Sequence, residues 1–212
     1  MTRPRPGGIR ALRSAAAVAA AAALACAGAA HTRYDAERPP EVLVEVLPRA
    51  AEVELDGRKL GKGSRAVPAP PGSGEHVLRV RAEGFEPVER TIPPQSLAGA
   101  RLAAALRPRG FGAARLLDLD DPEGLALAGA HLVRAGDGRD AVDYAERASS
   151  LDPALPLPWR VLGDARAALG DPRRAGDAWA RYVFLAPDAP DAPRVMRDLD
   201  RVRGGTTIEL HR

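Results

Sequence analysis

Two stretches of the chain superimpose at a constant offset. Pro122 to Pro153 reads PEGLALAGAHLVRAGDGRDAVDYAERASSLDP, and Pro156 to Pro187 reads PLPWRVLGDARAALGDPRRAGDAWARYVFLAP. Leu125 falls on Trp159, Gly129 on Gly163, Ala141 on Ala175, Tyr144 on Ala178, Ala145 on Trp179, Ala148 on Tyr182 and Pro153 on Pro187, always 34 residues apart. Each stretch holds two apolar stripes of helical period separated by a glycine-containing turn. In the second, Asp171 suits an N-cap and Pro172 the first helical position, where no N–H partner is needed. Small Gly163 and Ala175 let two antiparallel helices approach closely, and Trp159 and Trp179 fill the space beside them. One such unit cannot bury its apolar face alone, so the period commits this part of the chain to a stack of helix pairs.

Period, helix–turn–helix content and small residues in register resemble the tetratricopeptide repeat (TPR). The family's first-helix glycine falls on Gly129 and Gly163, its second-helix alanine on Ala141 and Ala175, and its terminal proline on Pro153 and Pro187. Ala145 and Tyr182 depart from the pattern, the first small where the family is large and the second the reverse. Gly129, Ala141, Ala148, Trp159, Gly163, Ala175 and Trp179 are expected to pack the repeats. About three units are usually needed to bury a continuous core. Here two units, 122–187, are followed by 188–203, where Val195, Met196, Leu199 and Val202 give one apolar face to a closing helix. Gly204-Gly205 is read as releasing a tail, 204–212.

The chain has 212 residues and a formal charge of +3. Arg3, Arg5, Arg10 and Arg13 lie in the first 25 residues, which hold no acid; without them the balance is −1. The basicity therefore belongs to that segment and gives no argument for nucleic acid; no basic run with interleaved aromatics follows. Residues 1–25 have the order of a secretory signal, arginines and then an alanine-rich run too short to span a bilayer. Ala23-Leu24-Ala25-Cys26 resembles a bacterial lipobox, which implies diacylglycerol on Cys26 and a membrane anchor. The alternative is cleavage near Ala27-Gly28-Ala29 with Cys26 discarded. Both take the mature chain out of the cytoplasm. Ala27 after a lipidated cysteine implies a periplasm-facing protein of the outer membrane in a Gram-negative bacterium. Residues 26–40 read as a tether. A single cysteine leaves no disulfide to form within the chain.

At Glu41 the period changes to two. Val42, Val44 and Val46 form one face, then Ala51, Val53 and Leu55, and later Leu78, Val80 and Ala82. Asp56-Gly57, Gly61-Lys62-Gly63-Ser64 and Pro70-Pro71-Gly72-Ser73-Gly74 are turn signals. These observations predict a small antiparallel β domain. Pro48-Arg49-Ala50-Ala51, Asp56-Gly57, Gly72…Glu75-His76 and Gly84-Phe85 resemble the PEGA domain over 41–107. The motif glycine is Ala50 here, and Ser73-Gly74 is inserted. The resemblance implies an envelope or surface protein without catalytic machinery. Residues 100–106 are read as a last strand, 108–121 as a link, Leu116-Leu117 as packing on the first repeat, and Asp121 as the cap of its first helix.

Little invites catalysis. Gly61-Lys62-Gly63-Ser64 lacks the Lys-Ser/Thr pair and following helix of a phosphate loop. Asp118, Asp120 and Asp121 lack the glycine and distal glutamate of a calcium loop and fit helix-start acids. His31, His76, His131 and His211 show no metal-ligand spacing. No metal or other cofactor and no enzymatic activity is expected. The TPR resemblance implies a groove lined by the first helix of each pair. Carried over, it consists of Glu123, Ala126, Ala130, Val133 and Arg134, then Leu157, Arg160, Asp164, Ala167 and Ala168. Arg134 and Arg160 are candidates to hold a peptide carboxylate.

The expected architecture is α+β and multidomain: a PEGA-like β domain followed by an α-helical repeat stack. The expected function is a lipid-anchored envelope adaptor that binds protein partners through the repeats. Two alternatives stand beside it: a wall module whose β domain binds peptidoglycan or surface polysaccharide, and a structural subunit of a secretion or motility machine. Partner identity and oligomerisation stay open.

Overall fold

The computed structural model describes residues 40–70, 74–93, 97, 99–112 and 117–208. Residues 1–39, where a signal segment, Cys26 and most of a tether were expected, lie outside them, as do Leu116 and the last four residues. From Glu41 onward the chain forms one compact unit.

Among the described residues nine strands come first: β1 (Glu41–Leu47), β2 (Glu52–Leu55), β3 (Arg58–Lys62), β4 (Arg65–Pro68), β5 (His76–Arg81), β6 (Phe85–Glu86), β7 (Val88–Ile92), β8 (Arg101–Ala105) and β9 (Arg107–Pro108). They pair as β4-β1-β8, β3-β2-β5-β7 and β6-β9. The alternation seen in the sequence holds, since Val42, Val44, Val46, Val53, Leu55, Leu78 and Val80 are all buried. Asp56 and Gly57 both have positive φ, 52° and 80°, as a two-residue hairpin turn requires. His76 secures that turn: it is buried, its Nδ1 lies 2.6 Å from Asp56 Oδ2, and the Val77 amide donates to Asp56 Oδ1.

Two details differ from expectation. Residues 101–105 do complete a sheet, but β8 runs parallel to β1, with Leu43 opposite Arg101 and Leu47 opposite Ala105. Every other pairing described is antiparallel. Gly61-Lys62 is also not a turn; it continues β3 past a bulge, pairing with Val53 and Glu52.

Five helices follow among the described residues: α1 (Pro122–Ala135), α2 (Gly138–Leu151), α3 (Pro156–Ala168), α4 (Pro172–Leu185) and α5 (Ala192–Ile208). Asp121 caps α1 through the Gly124 amide, and Asp171 caps α4 through the Arg174 amide, each at 3.1 Å. Gly136 ends α1 with φ 90°. α5 runs through Gly204 and Gly205 instead of stopping before them. A helical glycine costs about 1 kcal/mol relative to alanine, which weakens a helix without breaking it.

Close approach explains the repeated small residues. A Cβ on Gly163 would lie 2.1 Å from Trp179 Cδ1, and one on Gly129 would lie 3.1 Å from Val161 Cγ1. Ala141, Ala148 and Ala175 are fully buried, Trp179 is buried, and Trp159 is half-buried with its indole N–H donating to Pro153 O. Val195 and Leu199 of α5 are buried at the far end of the stack.

Candidate functional site

Residues 107–112 and 117–121 do not hang free between the strands and the helices. Arg107 and Pro108 form β9 against Glu86 and Phe85. His131 of α1 sets its ring edge-on to Phe111 and its Nε2 3.2 Å from Arg109 O. Arg101 of β8 and Arg147 of α2 both bind Asp120, at 2.7 Å each. This pairing holds the Asp120 carboxyl below the ordinary aspartate value; the Arg101 hydrogen bond is the main cause.

The β part therefore docks on the first repeat through a continuous seam, and one apolar cluster runs from Val42 through Phe85, Leu106 and Tyr144 to Ala178. Tyr144 stands at its centre. Its ring stacks on Phe85, with centroids 6.1 Å apart and an interplanar angle of 11°. Its hydroxyl donates to Leu106 O, with Leu47 O as a second, longer acceptor. Burial, with Asp140 and Asp143 nearby, pushes its pKa well above the ordinary tyrosine value. The turn that follows β1 docks beside it: the Arg49 amide donates to Asp143 at 2.8 Å, and the Arg49 guanidinium reaches Glu146 at 2.9 Å. The Asp143 carboxyl sits above its ordinary value because burial outweighs the help from Arg49.

The far end of the stack is closed by a polar cluster. Arg160 of α3 pairs with Asp164 and with Asp191, which precedes α5. Asp164 also accepts from Trp179 Nε1, and Asp191 accepts from the Tyr182 hydroxyl. The Arg160 guanidinium lies 6.0 Å from the Tyr182 ring centroid. Burial disfavours its charge, but Asp191 and Asp164 more than offset that and raise its pKa. Tyr182, partly desolvated and hydrogen-bonded to Asp191, is pushed up to about 12. The Tyr182 hydrogen bond and Arg160 together hold Asp191 low against its burial.

Among the expected groove residues, Arg160 is thus not open to a ligand carboxylate; Asp164 and Asp191 already fill that role. Ala126 is fully buried, because α1 packs against β9 as well as against α2 and α3. Glu123, Arg134, Ala167 and Ala168 are exposed, while Ala130, Val133 and Leu157 are half-buried. Leu127 was missed. It is 51% exposed and shares a face of α1 with Glu123, Ala130 and Arg134 at helical spacing. The signal available in the sequence was its helical spacing from Glu123 and Arg134. Among the described residues no group of three or more His, Cys, Asp or Glu side chains is arranged to hold a metal. Likewise no described helix is long and apolar enough to cross a membrane.

Residues 40–109 match the family model of the PEGA domain. A curated TPR repeat-containing protein of Pseudomonas aeruginosa is 33% identical over 75 residues, covering 32% of this chain and 71% of the relative. The chain belongs to the TPR repeat-containing proteins and carries a PEGA domain. In this TPR protein the PEGA domain is also the end-piece of the repeat stack. It packs against both helices of the first repeat through Arg49, Arg109 and Leu106, and α5 packs against α4 of the second. Two repeats are thereby buried on both ends, which explains how so short a stack forms a core. The PEGA turn at Pro48-Arg49-Ala50 is one of the parts that make this contact.

Proposed function

We propose that the protein is a non-enzymatic adaptor of the bacterial cell envelope, tethered through a lipid on Cys26 and binding a protein partner on the exposed face of α1. The observation that carries this reading is the row Glu123, Leu127, Ala130 and Arg134. A half-exposed leucine lies among charged and small side chains, and Arg134 has no ion pair among the described residues. An apolar anchor beside a free guanidinium suits an extended or helical peptide carrying a carboxylate. The seam and the far-end cluster leave this face clear.

A saccharide reading has less support. Phe85, the aromatic that the PEGA domain would offer to a sugar, is 2% exposed and stacked on Tyr144.

The test is a crosslinked pull-down from bacterial membranes with the wild type and a Leu127→Asp, Arg134→Glu variant of unchanged circular dichroism. A defined protein captured by the wild type and lost with the variant is the expected result. Equal capture by both moves the interface off α1. Fractionation of Cys26→Ser tests the anchor: release into the soluble fraction is expected, and unchanged membrane association argues against the lipid.

A further inference from the structure

The 34-residue period does not stop at Pro187. α5 continues it: Ala192 falls on Pro158, Val195 on Val161 and Leu199 on Ala165, and all six are buried. The two helices also dock alike. α3 packs on α2, with Ala165 and Leu169 facing Gly138, and α5 packs on α4, with Leu199 and Val202 facing Gly176. α5 therefore stands where the first helix of a third repeat would stand. Such a helix has another side, on which the second helix of its own repeat lies. In the second repeat that helix is α4, which sets Trp179 over Gly163 and leaves Leu162 only 2% exposed. The matching residues of α5 are Arg197 and Met196, and Met196 is 43% exposed. Pro193, Asp200 and Gly204 are exposed on the same side at helical spacing. Among the described residues the helix packed on α5 is α4, on the side of Leu199 and Val202, away from this row.

The chemistry of the row narrows its occupant. Met196 is its apolar centre, and Arg197 and Asp200 give it one charge of each sign. Neither makes an ion pair among the described residues, whereas Arg194, Asp198 and Arg201, further round α5, pair with one another. Arg203, at the border of the row, is already engaged. A helix that docked as α4 docks on α3 is excluded: a Cβ on Gly163 would already stand 2.1 Å from Trp179 Cδ1, and Arg197 puts a whole side chain at that position. The occupant has to cover a methionine while placing an acid on Arg197 and a base on Asp200, in reversed order along its own helix. A second copy of α5, run antiparallel, meets these conditions by symmetry. With the two-fold axis between Arg197 and Asp200, each arginine faces the other copy's aspartate and both Met196 side chains close beside the axis. Pro193 then lies over the other copy's Gly204, which has open space around it and lets the backbones approach. A parallel pair in register would set arginine on arginine and is disfavoured.

We infer that the protein self-associates through this row of α5, as a closed antiparallel dimer in which each copy's helix covers the side left exposed on the other. The interface uses no residue of the α1 face and does not rest on the adaptor reading.

The experiment is sedimentation velocity over a concentration series on the full chain carrying Cys26→Ser, which removes any lipid or disulfide that could join copies. A passage from monomer to dimer with rising concentration, and no larger species, is expected, because a two-fold interface closes on itself. Arg197→Asp and Asp200→Arg should each weaken the association by at least about tenfold, since each like-charge contact is made twice. The two changes together restore the pairing with its signs exchanged and should recover the dimer, an outcome that separates a charge contact from damage to the fold. Met196→Asp should also abolish the dimer at unchanged circular dichroism, and Leu127→Asp should leave it intact. A monomer at every concentration, open-ended oligomers, or a dimer indifferent to the α5 variants would overturn the inference.

Discussion

Tyr144 on the second helix of the first repeat donates its hydroxyl proton to the main-chain carbonyl of Leu106, at the last turn of the β domain. The contact joins residues from two recognisable sequence families across a shared core. Tyr144→Phe keeps the ring on Phe85 and removes the donor, leaving a buried carbonyl without it. A loss of about 1–2 kcal/mol is expected in urea unfolding. Tyr144→Ala also loses the stacked ring and should cost about 3–5 kcal/mol.

The seam makes unfolding cooperative across both parts. Far-ultraviolet circular dichroism at 222 nm, reporting α1 to α5, and amide exchange in β5 should report the same opening free energy in the wild type. A fragment beginning at Asp121 exposes the apolar faces of Leu125 and Tyr144 and should lose most of its helical signal. A fully helical fragment would show that the PEGA domain is dispensable as an end-piece.

Gly163 faces the Trp179 indole at a distance that leaves no room for a methyl group. Gly163→Ala is expected to cost about 1–3 kcal/mol through overpacking, and Gly163→Arg to abolish the helical signal. Retention of native ellipticity in Gly163→Arg would refute the packing described for the second repeat.

Arg160 and Asp191 connect α3 to the entrance of α5. A double-mutant cycle with Arg160→Ala and Asp191→Ala should give an interaction energy on the order of 1 kcal/mol. Non-interacting mutations would instead add. Adding Tyr182→Phe should extend the coupling, since all three side chains meet at Asp191.

The same cluster sets two pH limits. Asp191 titrates below its unfolded value, so its contribution is present above about pH 4 and is lost as pH falls through the folded pKa. Tyr182 is displaced upward to about 12, so its contribution is complete below the unfolded tyrosine value near 10 and is lost as pH rises toward 12. Absorbance at 295 nm should show Tyr182 ionising late, with Tyr144 ionising only as the fold opens. The Asp191→Asn variant should flatten the acid limb of the stability curve.

The helix pairs were legible because their constraints are local: period, Asp-Pro starts, glycine ends, and small residues where backbones meet. The strands were legible for the same reason. Three things depended on distant partners. β8 pairs in parallel with β1 across more than fifty residues of intervening chain, and no short-range pattern encodes that register. Arg160 looked like a ligand-binding arginine because Asp191, its main partner, lies beyond the repeat. The third case left a trace that went unread. Where the second repeat has Ala178-Trp179, the first has Tyr144-Ala145, with the bulky side chain moved by one residue. Trp179 turns its bulk toward Gly163 inside the repeat, whereas Tyr144 turns it outward to Phe85. A one-residue displacement on a helix rotates a side chain by roughly 100°, enough to change which neighbour it serves.

That rotation limits how the chain can be recombined. A graft that keeps the β domain but replaces the first repeat with a standard unit would present alanine to Phe85 and leave the Leu106 carbonyl unsatisfied. The second repeat, by contrast, can be exchanged or multiplied without touching those atoms. The part that has to be moved intact is therefore the β domain together with the first helix pair, and added repeats belong on the side nearer the carboxyl terminus.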